Sequence, residues 1–256
     1  MIYRPLFGVS TLALRGSSID AAISNVEQAG FQAFELVPYV WKTTSEFTSR
    51  ERKDIASRLA GFSCATVHSS GAAGANLQSS DETVRRKSWD EYVGLLQLGA
   101  DVGARVATFH HVTLEFAEHA TTFGDRNGIK IGIETFDQAL LDSFDLDSLG
   151  SLFDVGHATL AIGDDLEPSL SEWIDSRRET IVQFHFHGVI KQEGELIDHY
   201  PIDDANIIDY VAICRKLTAW NYMGPLIFEI GIRDQAADDN LRACAEAKDL
   251  LIASIA

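Results

Sequence analysis

Six side chains of metal-ligand type stand at equivalent places along this chain. They are His68 in CATVHSS, His110 in VATFHHV, Glu134 in IGIETF, Asp154 in LFDVGHA, His185 in VQFHFHG and Glu229 in LIFEIG. Each falls late in an apolar run, just before a loop or helix signal. Imidazoles and carboxylates ligate divalent cations, and they are also common general acids and bases. Three carboxylates brought together repel one another, and some must stay protonated unless a cation sits among them. Glu134, Asp154, His185 and Glu229 would make a mostly oxygen site suited to Mn²⁺, Mg²⁺ or Co²⁺. Adding His68, His110, His157 and His199 shifts the preference toward Zn²⁺. A lone histidine at a strand end is more often structural. Here seven of the eight histidines lie at or just after strand ends, and only His119 falls in a helical pattern.

Such a site needs a scaffold that gathers the ends of many strands. Strand-like runs begin near Leu6, Phe31, Phe62, Arg105, Ile129, Leu152, Ile181 and Leu226. Helical patterns separate them, among them residues 19–29, 48–60, 83–102, 114–123, 169–179, 205–220 and 235–255. Strict strand–helix alternation predicts a parallel sheet with helices on its faces. Eight repeats predict closure into a (β/α)8 TIM barrel, a single domain over residues 1–256. An open doubly wound sheet would carry a Gly-rich phosphate loop after an early strand, and the first turn here reads STLALRGSS.

Side chains alternate across a strand, so apolar neighbours reveal where each candidate points. Val182, Phe184 and Phe186 should meet the helices, which turns Gln183, His185 and His187 inward. The same reading sends Leu226, Phe228, Ile230, Ile129, Ile131 and Ile133 outward, and Glu229 and Glu134 inward. His68, His110 and Asp154 share that inward parity. The two glutamates are expected on opposite sides of the barrel mouth.

Composition narrows the function. A formal charge of −17 repels phosphate backbones, so no nucleic-acid partner is expected. The balance suits a small sugar or polyol substrate that is neutral or masked by a cation. Cys64, Cys214 and Cys244 are too few for a disulfide framework and read as buried thiols of a reducing compartment. The start MIYRPLFGVS lacks the features of a signal peptide, and no run approaches the roughly 20 apolar residues of a membrane span. A cytoplasmic protein is the expectation.

Across essentially its whole length the chain resembles the xylose-isomerase-like TIM-barrel superfamily. That group includes sugar isomerases and epimerases, inosose and dehydroshikimate dehydratases, and endonuclease IV. The resemblance is carried by the Glu134 strand, the Asp-Val-Gly-His unit Asp154–His157, the His185 strand and the terminal Glu229 strand. More loosely, Asn76-Leu77 before a helix is similar too. The single-metal members imply ligation by Glu134, Asp154, His185 and Glu229, with His157 touching substrate.

Several activities remain open inside this resemblance. As an isomerase or epimerase, the protein would move a proton through an enediolate, with Glu134 and Glu229 as base and acid. Lys191 stands where similar epimerases place a basic substrate contact, often an arginine. As an endonuclease IV-like phosphodiesterase it would bind three zinc ions. His68, His110 and Glu134 would hold one, Asp154, His185 and Glu229 would complete a second, and His157 and His199 would hold a third. Two features depart from that pattern. Endonuclease IV has Asp-x-His, whereas here Asp198 directly precedes His199. The loops also lack dense Arg and Lys, and Arg85-Arg86-Lys87 and Arg177-Arg178 read as solvated helix faces. A dehydratase acting on a polyol or cyclic hydroxy-ketone would start from the same proton abstraction. A non-catalytic sugar-binding barrel would keep the shape without the metal.

Other residues have two readings each. His68 and His110, if not ligands, would contact substrate. Glu35, at the end of the second strand, would either hydrogen-bond substrate or form an ion pair at the rim. His187 would touch substrate or support a ligand. Trp41 and Tyr39 would stack on a sugar or pack the core, and His111 should point outward.

Overall fold

The computed structural model describes residues 5–69, 76–135, 138–144, 146, 148–163, 169–231 and 235–255. Its apolar runs form the expected strands: β1 (Leu6–Ser10), β2 (Ala33–Leu36), β3 (Cys64–His68), β4 (Val106–Phe109), β5 (Lys130–Glu134), β6 (Leu149–Asp154) and β7 (Ile181–Phe186). A hairpin of β8 (Gly188–Gln192) and β9 (Glu195–Tyr200) follows, and then β10 (Pro225–Phe228). All but the hairpin pair in parallel and close into a barrel in the order β1-β10-β7-β6-β5-β4-β3-β2. The helices between them are α1 (Ile19–Gln28), α2 (Ser49–Leu59), α3 (Glu82–Val102), α4 (Leu114–Asn127) and α5 (Gln138–Phe144), then α6 (Val155–Ile162), α7 (Ser169–Ser176), α8 (Tyr210–Trp220) and α9 (Ala237–Ile255). This is the (β/α)8 TIM barrel that the alternation implied.

Capping chemistry sets the helix ends. Thr48 and Glu51 form a reciprocal capping box at α2, and Asp209 accepts from the backbone of Ala212 at α8. The Asp209 cap is why α8 starts later than its apolar pattern suggests. Gly128, at φ 68°, ends α4 a turn beyond the expected stop. No helix among the described residues is long and apolar enough to cross a membrane.

The barrel has two apolar regions. Outside the strands, Phe7, Phe228, Phe186, Phe184 and Phe153 form a chain of rings beneath the helices, with neighbouring centroids 5.6–6.2 Å apart. Inside, Ala33, Cys64 and Ile227 close the floor with Leu6 packed against them. Gly8 is confined there, since a Cβ would meet the side chains of Ala33 and Ile227 at 2.7 Å. Above the floor the interior turns polar: Glu35 lies opposite Thr66 in register, His68 opposite Thr108, and Asp154 opposite His185.

Three expectations need correction. Residues 188–200 form a hairpin that apolar periodicity did not signal. Alternation breaks in β7, where the register with β6 jumps from Ser151↔Ile181 to Leu152↔Gln183. The bulge turns Val182 inward beside Gln183, into the space over Gly132 and Gly150, rather than outward with Phe184. Glu134 and Glu229 are also not diametrically opposed. Their strands are three apart in the barrel order, so Glu134, Asp154, His185 and Glu229 come from four consecutive strands along one arc of the wall.

The floor makes a stability prediction. Ile227 is fully buried between Ala33 and Cys64 with no polar partner to compensate its loss. Ile227→Ala should cost about 2–5 kcal/mol in urea unfolding. A loss below about 1 kcal/mol would mean the floor is not packed as described.

Candidate metal centre

Asp154 ends β6 and caps α6, where its Oδ1 accepts the backbone N–H of His157 at 2.7 Å. The glycine of the Asp-Val-Gly-His unit has a physical reason. A Cβ on Gly156 would occupy the space of the His187 imidazole. That ring is fully buried and has both nitrogens engaged. Its Nδ1 accepts the backbone N–H of His199 at 3.0 Å, so Nε2 carries the hydrogen and donates to Asp154 at 3.0 and 3.2 Å. His187 therefore braces Asp154, and no nitrogen is left for the substrate contact considered from the sequence. The Oδ2 of Asp154 also lies 3.7 Å from His185 Nδ1 and 3.5 Å from His157 Nδ1.

His185 spans two carboxylates. Its Nε2 lies 3.1 Å from Glu35, and its Nδ1 lies 3.0 Å from Glu229 Oε2. Glu35 is fully buried below the mouth, where Gln183 Nε2 donates to it and Thr66 Oγ1 lies 3.4 Å away. Of the two sequence readings of Glu35, the ion pair is present, with His185, but it lies beneath the mouth and not at the rim.

A second group forms around Glu134. The Nε2 atoms of His68 and His110 lie 3.2 Å apart, and 3.4 and 3.1 Å from Glu134 Oε2. His68 Nδ1 is fixed by Thr108 Oγ1 at 2.8 Å, and Tyr92 donates to the His110 carbonyl at 2.5 Å. Glu134 Oε1 also lies 2.9 Å from His157 Nδ1.

The hairpin completes a third group. His157 Nε2 lies 3.4 Å from Asp198 Oδ2, and His199 Nδ1 lies 3.2 Å from Asp198 Oδ1. In a regular strand, adjacent Asp198 and His199 would face opposite ways. His199 instead takes a left-handed backbone (φ 59°), which brings both side chains to the site and offsets the displaced aspartate. His199 stacks on His187 with centroids 4.2 Å apart, and its Nε2 lies 3.7 Å from Glu229.

These contacts couple the charges. Burial alone would raise the carboxyls, but His110, His157 and His68 hold Glu134 at about 2. Burial likewise opposes ionisation of Glu229 and Asp154. Even so, His185 and His199 hold Glu229 well below the carboxylate range, and His187, His157 and His185 do the same for Asp154. Burial also works against imidazolium, yet Asp154, Asp198 and Glu134 lift His157 to about 12, and Asp198, Glu229 and Asp154 lift His199 to about 10. His185 is raised well above its ordinary value by Glu35 and Glu229 against its burial. Burial pushes His68 down, and Glu35 and Glu134 only partly offset it.

The donor set fits a divalent ion. Glu134 Oε2, His185 Nδ1 and Glu229 Oε1 are buried polar atoms without a hydrogen-bond partner. Atoms that could ligate an ion converge in overlapping triplets, His68–Glu134–His185, Glu134–Asp154–His157 and Glu35–His185–Glu229, while a fourth, His157–His187–His199, includes the His187 ring whose nitrogens Asp154 and the His199 backbone already occupy. All six residues of the strand-end pattern, with His157 and His199, thus meet at one mouth. Lys191 is exposed on β8, opposite Leu196 and near the Glu193–Gly194 turn. His111 is exposed as expected, and Trp41 is tied to the Ser17 carbonyl at 2.6 Å. Sequence reasoning read Asp198 as displaced from the third site by its place directly before His199, whereas both side chains reach the site, and it missed the support that Gln183 and Thr108 give.

The xylose isomerase-like TIM barrel family model matches residues 23–247. No curated protein matches the chain. Solved structures share its fold at low identity. A D-tagatose 3-epimerase-like protein aligns at 19% identity and TM-score 0.73, covering 98% of this chain and 99% of its own. D-allulose 3-epimerase from Methylomonas sp., solved with D-allulose, aligns at 14% and 0.74, covering 98% of each chain. The IolI protein, solved with a zinc atom, aligns at 13% and 0.73, covering 97% of each.

The coupled charges predict how the metal-free protein responds to pH. His199 stands at about 10 when folded against an ordinary 6.5, so its contribution to stability is complete below pH 6.5 and lost as the pH rises through about 10. Glu134 acts in the opposite sense: its contribution is present above pH 4.5 and lost as the pH falls through about 2. In EDTA the Tm should be highest between pH 4.5 and 6.5 and fall toward pH 10. Added zinc should remove the alkaline fall, since the ion takes the place of the protons. A Tm in EDTA that stays flat from pH 6.5 to 10 would contradict the coupling.

Proposed function

The chain belongs to the xylose isomerase-like TIM barrel family, and from that premise we propose that it is a sugar isomerase or epimerase. It works with one divalent ion held by Glu134, Asp154, His185 and Glu229. The observation that carries this reading is the convergence of buried carboxylate and imidazole ligand atoms of Glu134, Asp154, His185 and Glu229, contributed by four consecutive strands. Similar folds solved with D-allulose and with zinc support both the substrate class and the ion.

In this reading a ketose lies across the mouth with the carbon beside its carbonyl between Glu134 and Glu229. When bound, the ion supplies positive charge to the two adjacent oxygens as the enediolate forms. One glutamate removes the proton, and the other returns one. Their strands flank Asp154 and His185, so removal and return can occur on different faces, which favours epimerisation. The two carboxylates have different neighbours. Glu134 faces His110, His157 and His68, while Glu229 faces His185 and His199, and such inequality separates the two roles. In this reading His157, about one-third exposed, would turn Nε2 from Asp198 to a substrate oxygen while Nδ1 stays on Glu134.

A second reading has its own observation. His157, Asp198 and His199 form a further ligand group, and His68 and His110 sit beside Glu134. That arrangement suits several zinc ions and an endonuclease IV-like phosphodiesterase. The charge of −17 opposes a nucleic-acid substrate, so this reading ranks second.

A panel of ketoses, their phosphates and cyclic polyol ketones in D₂O separates these readings. The account expects one ion per chain by elemental analysis and deuterium at the carbon that changes. Glu134→Gln and Glu229→Gln should each lower kcat by at least about 10²-fold. Loss of water from a panel member would select the dehydratase. Three zinc ions per chain with cleavage of an abasic-site duplex would select the nuclease.

A further inference from the structure

Glu35 is the one buried carboxylate of the cluster that the proposed chemistry leaves without a role. It is fully buried in the polar layer beneath the mouth, and its backbone register places it between Ser10 and Thr66. Among the described residues, its only ion-pair partner is His185. We propose that Glu35 is a positioning residue that fixes which nitrogen His185 presents to the metal, holding Nε2–H downward so that Nδ1 faces Glu229 and Asp154. The proposal rests on the reading that these residues bind a divalent ion.

An ionised carboxylate only accepts hydrogen bonds, so a ring nitrogen 3.1 Å from it must carry the hydrogen. Nδ1 is the nitrogen that faces the other proposed ligands, 3.0 Å from Glu229 Oε2 and 3.7 Å from Asp154 Oδ2, and an ion bound there would take the place of the proton it carries in the metal-free protein. A histidine ring can otherwise turn over or change tautomer, and either change would point the wrong atom at the ion. Gln183 donates to Glu35 Oε2 and so holds the carboxylate in place. The arrangement has a direct competitor, because Gln183 Nε2 also lies 3.1 Å from His185 Nε2. Without Glu35, that amide could donate to Nε2 and shift the hydrogen to Nδ1, closing the ligand atom. Carboxylates that brace a ligating histidine in this way usually contribute about 10–100-fold in metal affinity.

The test uses the full-length protein with ¹⁵N-labelled histidine, metal-free and then titrated with zinc against a competing chelator. Glu35→Gln keeps one acceptor oxygen, whereas Glu35→Leu keeps none. Zinc-loaded wild type should show His185 bound through Nδ1 with a slowly exchanging Nε2–H. Glu35→Leu should lose that protected hydrogen and about 10–100-fold in zinc affinity, and Glu35→Gln should recover most of both. If Glu35→Leu does not fold, Glu35→Ala carries the same expectation, and adding Gln183→Leu to it should restore part of the affinity by removing the competing amide. Equal affinity with and without Glu35, coordination through Nε2, or anomalous scattering that places the ion on a Glu35 oxygen would each overturn the assignment. In those cases zinc binding by wild type would still stand. A wild-type protein that binds no divalent ion would overturn the metal reading together with this one.

Discussion

The structure is organised around charge balance in a place with little water. Asp154 and Glu229 come to the barrel mouth buried, Glu134 joins them with its side chain 7% exposed, Glu35 lies fully buried just beneath, and Asp198 comes half-buried from the hairpin. Such a set is unstable unless positive charge is interleaved with it. The imidazoles of His157, His185 and His199 supply that charge in the metal-free protein by holding protons they would release in water. A divalent ion can replace those protons, and its affinity is then tied to the same residues that keep the barrel mouth stable.

The fold supplies this arrangement in layers. The floor is apolar and tight, with Ile227, Ala33 and Cys64 leaving Gly8 no room for a side chain. Above it, Glu35, Thr66 and Gln183 form a polar tier that touches His185 from below. The ligand atoms come last, where the strands end. His187 braces Asp154 from the side in the space Gly156 leaves open. Asp154 and His185 are thus each held by a neighbour, His187 and Glu35, which fixes their orientation before any ion arrives.

Much of this was legible in the sequence. Eight apolar runs with intervening helical patterns implied the barrel, and alternation correctly turned Glu134, Asp154, His185 and Glu229 inward, because one-sided burial ties parity to register. Alternation failed at Val182, where a bulge puts two consecutive side chains on one face. It failed again at Asp198 and His199, where a left-handed residue does the same. Both are backbone irregularities that residue type does not encode. Glu35 was visible as a strand-end acid, but its depth depends on the stagger between neighbouring strands. The relation of Glu134 to Glu229 around the mouth likewise follows from closure of the barrel, which no local pattern contains.

The central claim is that Glu134, Asp154, His185 and Glu229 share one divalent ion. Anomalous scattering from crystals grown with Mn²⁺ or Zn²⁺ tests it most directly. The account predicts a principal peak within about 2.0–2.3 Å of oxygens from Glu134, Asp154 and Glu229 and of His185 Nδ1. A peak held by His157 and His199 alone, or none in the presence of excess ion, would contradict it.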